Sequence, residues 1–537
     1  MKKYLYALLL VFTAVTGFYF FYSWSLLPPG ERFIYQIDDP YIHMAIAKNF
    51  ALNGVWSINS GGFDSASSSI LYTLLLTSLI KLFGIWEFYP LVINVICGYL
   101  AIYTVYRYFK DFYGAAELKW AIALLLPFSL LYAMVLISME HTVHMFLMVL
   151  AIYFIHKNVE SNFQTKDFIK LLTVVFFVSI VRFESMFFTA SLAFAMFLRK
   201  DFAKGILVMV TGFSAIVIFG IISEIHGGYF FPNSVMIKGS LPSGNNIVEN
   251  VVTLFKKGIF LNTSFYKCLF FPFVILIVYL TGKYRSKKIN LFFKNETLMI
   301  TIFSMSIIHS LFAFLKYRYE NYVMISVLMV VIPVISAFFK RFNEEKRKLN
   351  IANVVMLFSL VMMTVFSLYR FQFMHKPSMV SSKNIYEQQV EMSRFLGKYY
   401  RGQKVAANDI GAISYYSGVQ LFDIVGLGST QVAKFKMENK KLPRKVFDEK
   451  YRNFLINYTA KNNFVIAVIY PEWFPGKTPA SWIPVASWKI QDNKAAAIDR
   501  VVFYALETEQ VKPLQQNLMK FDLNKNVEQW FYILKKK

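Results

Sequence analysis

Charge and cysteine are both scarce in this chain. Only 17% of its residues are charged, and the two cysteines among 537 residues, Cys97 and Cys268, both fall inside apolar runs. Two such thiols exclude a disulfide-stapled scaffold and leave the redox compartment open. A soluble domain of this size carries more charge, so an ordinary water-soluble fold is excluded as well. No internal repeat or long low-complexity segment is present, which excludes a solenoid.

Apolar sequence fills the space instead: 56% of residues are hydrophobic and 18% aromatic, with a mean hydropathy of +0.45. This composition predicts a polytopic α-helical membrane protein. The net charge of +25 would suit a nucleic-acid partner only if it lay on one soluble face. The basic residues recur in short clusters between apolar runs, so topology accounts for much of the charge and no nucleic acid is expected. In the tail, a solvated surface or attraction to membrane lipid accounts for Lys440, Lys441 and the last three lysines.

The first run, from Tyr4 to about Leu27 behind Lys2 and Lys3, is longer than a signal-peptide core and lacks a small-residue cleavage site; it is expected to be a retained anchor. Further spans are expected near residues 88–109, 119–137, 141–157, 168–181, 185–198, 204–223, 265–282, 296–315, 320–339 and 351–370. With the anchor these make about eleven transmembrane helices, with boundaries uncertain by several residues. The stretch 67–83 is apolar but short and carries Lys81. If it stays on the outer side, the clusters Arg107/Lys110/Lys119, Lys157/Lys166/Lys170, Arg199/Lys200/Lys204, 283–288 and 340–348 all share the cytoplasmic side with the N-terminus. That arrangement places Asp38, Asp39, Glu140, Arg182, Glu184, the loop 224–257 and Arg318 on the outer face.

Hydropathy falls after Arg370. The division expected is a membrane domain over residues 1–373, including an outer loop 28–87, and an extracytoplasmic α/β domain over 374–537 reached through a short linker, 374–383, with Pro377 and three serines. Short runs rich in Val, Ile and aromatics at 404–407, 419–425, 464–470 and 500–505 predict strands, and 385–400 and 446–460 predict helices.

Chemistry concentrates at Asp38-Asp39-Pro40-Tyr41-Ile42-His43. Adjacent carboxylates repel and cost desolvation near lipid, so such a pair is a functional-site candidate, although Asp39 before Pro40 also suits a helix N-cap. Residues 40–52 form a helix pattern with Tyr41, Ala45, Lys48 and Leu52 on one stripe, expected to lie in the membrane interface. A carboxylate there could take a proton from a hydroxyl, orient a sugar or bind a divalent cation. The turn-rich loop 53–65 either covers this site or joins two surface helices. Glu140 sits at the outer end of a span, as a site acid or a snorkelling carboxylate. Arg182 and Glu184 either pair or bind a polar group, and the forks of Arg182 and Arg318 suit phosphate oxygens. The segment 227–238, with Asn233 and Lys238, is either an interfacial aromatic belt or part of the site.

In order, these pieces resemble the GT-C membrane glycosyltransferases that use polyprenyl-phosphate sugars, particularly the terminal arabinofuranosyltransferase branch and, more distantly, lipid A aminoarabinose transferases and protein O-mannosyltransferases. Asp38-Asp39-Pro40-Tyr41-Ile42 resembles "DDAYI", and residues 61–69 resemble "GGxxxxGxTSPL" without its proline. Ser138-Met139-Glu140-His141 resembles "SGMET" lacking its glycine, and Arg182-Phe183-Glu184-Ser185 resembles "RPEG" with proline and glycine replaced. Residues 228–238 resemble "YGxxLPNTxYAK", Arg318-Tyr319 an "RY" helix entry, and 408–427 the family's outer-domain pattern.

The resemblance implies inverting transfer of a sugar from a polyprenyl-phosphate donor to a glycan, lipid or protein acceptor on the outer face of the cytoplasmic membrane. It implies Asp38 or Asp39 as general base and Glu140 in orientation. Arg182, Lys238 and Arg318 would stabilise the departing phosphate, and Tyr41, His43, Glu184 and Asn233 would complete the substrate contacts. A divalent cation is required by some members and not by others. The rival readings are a polyprenyl-lipid or polysaccharide transporter, which needs polar groups at mid-membrane, and a noncatalytic scaffold, which would tolerate neutral residues at 38 and 39.

Overall fold

The computed structural model describes residues 1–59, 61–238, 246–313, 315, 317–344 and 349–532; Lys316, the basic stretch 345–348, the last three lysines and the side chain of Lys238 lie outside the described residues. Among the described residues, seven helices are long and apolar enough to cross a membrane, or nine if two bent pairs each count as one span. Six of them follow the hydropathy runs closely: Lys2–Ser25, Tyr89–Phe112, His141–Glu160, Phe202–Ile225, Thr263–Tyr284 and Asn321–Glu344. Two further predicted spans, Thr165–Val181 and Ser185–Leu198, are helices of only 17 and 14 residues, so the count of about eleven is not reached by span length.

Three expectations change. The run at 119–137 is not one helix: Ala115–Ser129 and Leu131–Ile137 meet at a 44° bend, where Pro127 and the left-handed backbone of Leu130 (φ 54) interrupt the hydrogen-bond ladder. The expected linker 374–383 is helical. Ile351–Tyr399 runs as one 49-residue helix through Pro377, so the division at 373/374 falls inside a rod. Finally, the Asp39–Asn53 helix does not lie on a bilayer surface, because every residue from Pro40 to Ala47 is buried. It is the layer between the helical bundle and the sheet domain. Ile70–Phe83, with Ser69 as its N-cap accepting from the Tyr72 N–H, is a 14-residue helix, about 21 Å long and too short for a hydrocarbon core of about 30 Å.

The C-terminal domain is a six-stranded mixed sheet of order β2-β1-β3-β5-β4-β6. Its strands are β1 (Lys404–Ala407), β2 (Gln420–Asp423), β3 (Ile466–Ile469), β4 (Ile483–Lys489), β5 (Arg500–Ala505) and β6 (Glu528–Phe531). β1 is parallel to β2 and β3, and the remaining pairs are antiparallel. The four expected strands and the helix Arg444–Lys461 are present; β4 and β6 are additional. Trp488, Phe395 and Phe503 pack on one sheet face, and Phe422, Tyr451 and Leu455 on the other.

The sheet domain docks on the loop region before residue 88. Asn59 donates to the Leu421 carbonyl at 2.9 Å and accepts from its N–H at 2.8 Å, as an added strand residue would. The Asp64 carboxylate accepts from the Thr430 N–H and hydroxyl at 3.2 and 2.9 Å. Lys48 reaches the Tyr415 carbonyl, and the Tyr416 hydroxyl donates to Glu87 at 2.8 Å. Loop 53–65 is therefore a docking strap, and the residues that follow it, Ala66 and Ser68, line the site.

Candidate active site

A cavity of about 360 Å³ opens where the helix tops meet the sheet domain. Its polar lining comes from Asp39, His43, Ser68, Arg182 and Glu184. Phe183, Met186, Phe187, Phe312 and Val235 form an apolar wall, and Leu427 of the sheet domain roofs it. Helix ends deliver the charges: Asp39 is the first residue of its helix, Glu140 directly precedes His141–Glu160, and Arg182 and Glu184 flank the break between two helices. Backbone groups are unpaired at such ends and side chains can project into one space.

Arg182 is the hub. Its Nε and Nη2 donate to the two Glu184 oxygens at 3.1 and 2.7 Å, and its Nη1 donates to Glu140. Glu140 also accepts from the Ser68 hydroxyl at 2.9 Å and lies 3.3 Å from His43 Nε2. Burial pushes the Glu140 carboxyl up, but the charges of Arg182 and His43 outweigh it and hold the group well below the usual carboxylate range. Arg318 pairs with Asp39 and donates to Met139 Sδ at 3.2 Å. The Tyr319 ring separates the two guanidiniums, its centroid 5.1 Å from that of Arg182 and 5.2 Å from that of Arg318.

The two adjacent acids part company. Asp38, not Asp39, holds the N-cap position, with Pro40 one residue further in than expected. Asp39 enters the cavity with its side chain 28% exposed. Asp38 is buried and turns toward the sheet domain, where its two oxygens accept from the N–H groups of Gly411 and Ala412. Burial and the neighbouring Asp409 carboxyl push Asp38 well above the usual range. Of the two candidate bases, the one with the raised carboxyl thus faces away from the cavity.

Asp39, His43, Glu140, Arg182, Glu184 and Arg318 come together. Tyr41 does not: it is 1% exposed, its hydroxyl accepts from the Tyr35 N–H, and its ring packs on Tyr415 and Tyr416. Asn233 lies beside the cavity but spends itself on structure, its N–H on the Ser65 carbonyl and its amide on the Leu427 carbonyl; the next residues, Ser234 and Val235, line the site. Lys238 ends the helix Asn233–Lys238. Sequence reasoning missed Ser68, Met139 and Tyr319 as site residues, although all lie within quoted motifs, and missed Asp409. Among the described residues no group of three or more His, Cys, Asp or Glu side chains could hold a metal ion.

Residues 383–504, less than half of the chain, match a family described as a domain of unknown function (DUF8728). No curated protein matches the chain. Among solved structures it is similar to ArnT from Cupriavidus metallidurans, in the apo state (TM-score 0.52) and bound to undecaprenyl phosphate (TM-score 0.50), each at 12% identity and covering 94% of this chain and 98% of that one. It is also similar to the Archaeoglobus fulgidus oligosaccharyltransferase in complex with Zn and sulfate: TM-score 0.51, 12% identity, 94% of this chain and 73% of that one. The chain has the GT-C fold, with apolar membrane helices and a C-terminal sheet domain.

Proposed function

We propose that this chain is an inverting glycosyltransferase that moves a sugar from a polyprenyl-phosphate donor to a cell-envelope acceptor on the outer face of the cytoplasmic membrane. The observation that carries the reading is the cavity itself: Asp39, paired with Arg318 and sharing the space with Arg182, against an apolar wall between helix ends, in a GT-C fold. The acceptor oxygen attacks the anomeric carbon while its proton passes to the Asp39 carboxylate. The bond from that carbon to the phosphate oxygen breaks, and polyprenyl phosphate leaves with the electron pair. Arg318 and Arg182 face the charge that develops, and as preorganised donors they lower the barrier. Arg318 touches the base, so in this reading it links the proton acceptor to the phosphate side of the displacement. Glu140 and Glu184 hold Arg182 in place, and the apolar wall of Phe183, Phe187 and Phe312 suits the first isoprene units of the donor.

The test is a lipid and glycan profile by mass spectrometry of a deletion strain carrying wild-type protein or Asp39→Asn at equal membrane expression. Accumulation of one polyprenyl-phosphate sugar and loss of one glycan sugar, both reversed only by wild type, supports the reading and names the substrates. Full restoration by Asp39→Asn overturns it and makes transport the better account.

A further inference from the structure

The sheet domain touches the acid motif at one point, and that point is chemically unusual. Asp38 presents both oxygens to the first two N–H groups of the helical segment 411–417. Its carboxyl also hydrogen-bonds the carboxyl of Asp409. Asp409 in turn accepts from Gln389 Nε2 at 2.7 Å and from the Tyr470 hydroxyl at 2.9 Å. Asp38 is buried and Asp409 partly so. The titratable groups facing them are Asp39 from the same helix and Tyr470 from the end of β3, while Gln388, Gln389 and backbone amides complete the surroundings. Two carboxyls in contact there hold one proton between them. Asp38 accepts from two backbone N–H groups and Asp409 from two side chains, so the pair is held from both sides of the domain seam. The fit is tight: a Cβ on Gly411 would stand 2.1 Å from the Asp38 carbonyl oxygen.

Resting on the reading of Asp39 as the base, we propose that the sheet domain is a clamp for the catalytic helix, with Asp38 and Asp409 as positioning residues that set where Asp39 enters the cavity. The chain runs directly from the clamped carboxyl of Asp38 into Asp39. A shift of the 408–412 loop therefore moves the base relative to Arg318.

Amide hydrogen exchange of the full-length protein in detergent, read by mass spectrometry, tests this without any substrate. Asp38→Asn has one acceptor oxygen for two N–H groups and places an NH2 against the other. Gly411→Ala drives the loop off by one methyl group. Both are expected to raise exchange in residues 39–47 and 408–417 by roughly tenfold, the effect of losing a buried hydrogen-bonded acceptor, while 321–344 stays as in wild type. Asp409→Asn keeps an acceptor oxygen for Gln389 and Tyr470 and offers an N–H toward Asp38. It is expected to stay close to wild type, whereas Asp409→Ala matches Asp38→Asn. Unchanged exchange in Gly411→Ala, or Asp409→Asn as damaging as Asp409→Ala, overturns the clamp. A loosened clamp with an intact glycan profile, in a strain where Asp39→Asn abolishes that profile, overturns the positioning role. A silent Asp39→Asn instead removes the transferase reading and leaves the exchange result standing.

Discussion

Two acid-rich centres lie one residue apart and are built on opposite rules. In the cavity, Asp39, Glu140 and Glu184 face Arg318 and Arg182, so every carboxylate there is paired with a guanidinium. At the domain seam, Asp38 and Asp409 meet with hydroxyl, amide and backbone donors around them and the proton as their shared counter-charge. The first arrangement keeps charge available for chemistry. The second removes it and leaves geometry. Neighbouring residues of identical type thus acquire opposite surroundings: burial and a second carboxyl push Asp38 up, while Asp39 is paired with a guanidinium.

The sharpest way to break the comparison is to neutralise one acid of each kind. Asp39→Asn removes the proton acceptor and is expected to lower transfer by roughly 10²–10⁴-fold, with thermal unfolding of the purified protein little changed. Arg182→Ala leaves Glu140 and Glu184 buried without their partner and is expected to cost about 3–5 kcal/mol, read as a lower unfolding temperature; Arg182→Lys keeps the charge, loses the fork and falls between. At the seam the sign with pH is fixed by the raised carboxyls. Their contribution to docking is fully present below the ordinary carboxylate range and is lost as pH rises through the raised folded values. Protection of 408–417 relative to Asp409→Asn, measured at each pH, is therefore expected to fall toward alkaline pH, and a flat ratio would contradict the shared proton. The smallest effect is expected from Asn59→Ala, which removes two hydrogen bonds at the edge of β2 at a cost of about 1 kcal/mol, without altering protection of 39–47.

Hydropathy runs made the membrane helices legible because a span has to be apolar along its length. The strands Ile466–Ile469 and Arg500–Ala505 were legible because they are short, β-branched or aromatic, and buried. β4 escaped through Pro484 at its start, and β6, Glu-Gln-Trp-Phe at the sheet edge, because half of it faces water. Pro377 and its serines read as a linker, yet Ser378, Ser381 and Ser382 are buried against neighbouring elements and Gln36 donates to the Ser378 carbonyl, so packing overrides propensity there. Within the site, Arg182, Glu184 and Arg318 were visible as charges interrupting apolar runs. The division of labour between Asp38 and Asp39 was not, because it depends on Gly411 and Ala412, more than three hundred residues away.

The helix Ile351–Tyr399 carries the chain from the membrane to the sheet domain without a joint, a rod of about 74 Å at 1.5 Å per residue. Its length is accordingly quantised. One inserted residue would raise the sheet domain by about 1.5 Å and turn it by about 100° about the rod axis, breaking register with the docking strap and the acid motif together. Between Arg370 and Glu391 the chain can exchange one side chain for another, but it has no freedom to gain or lose a residue.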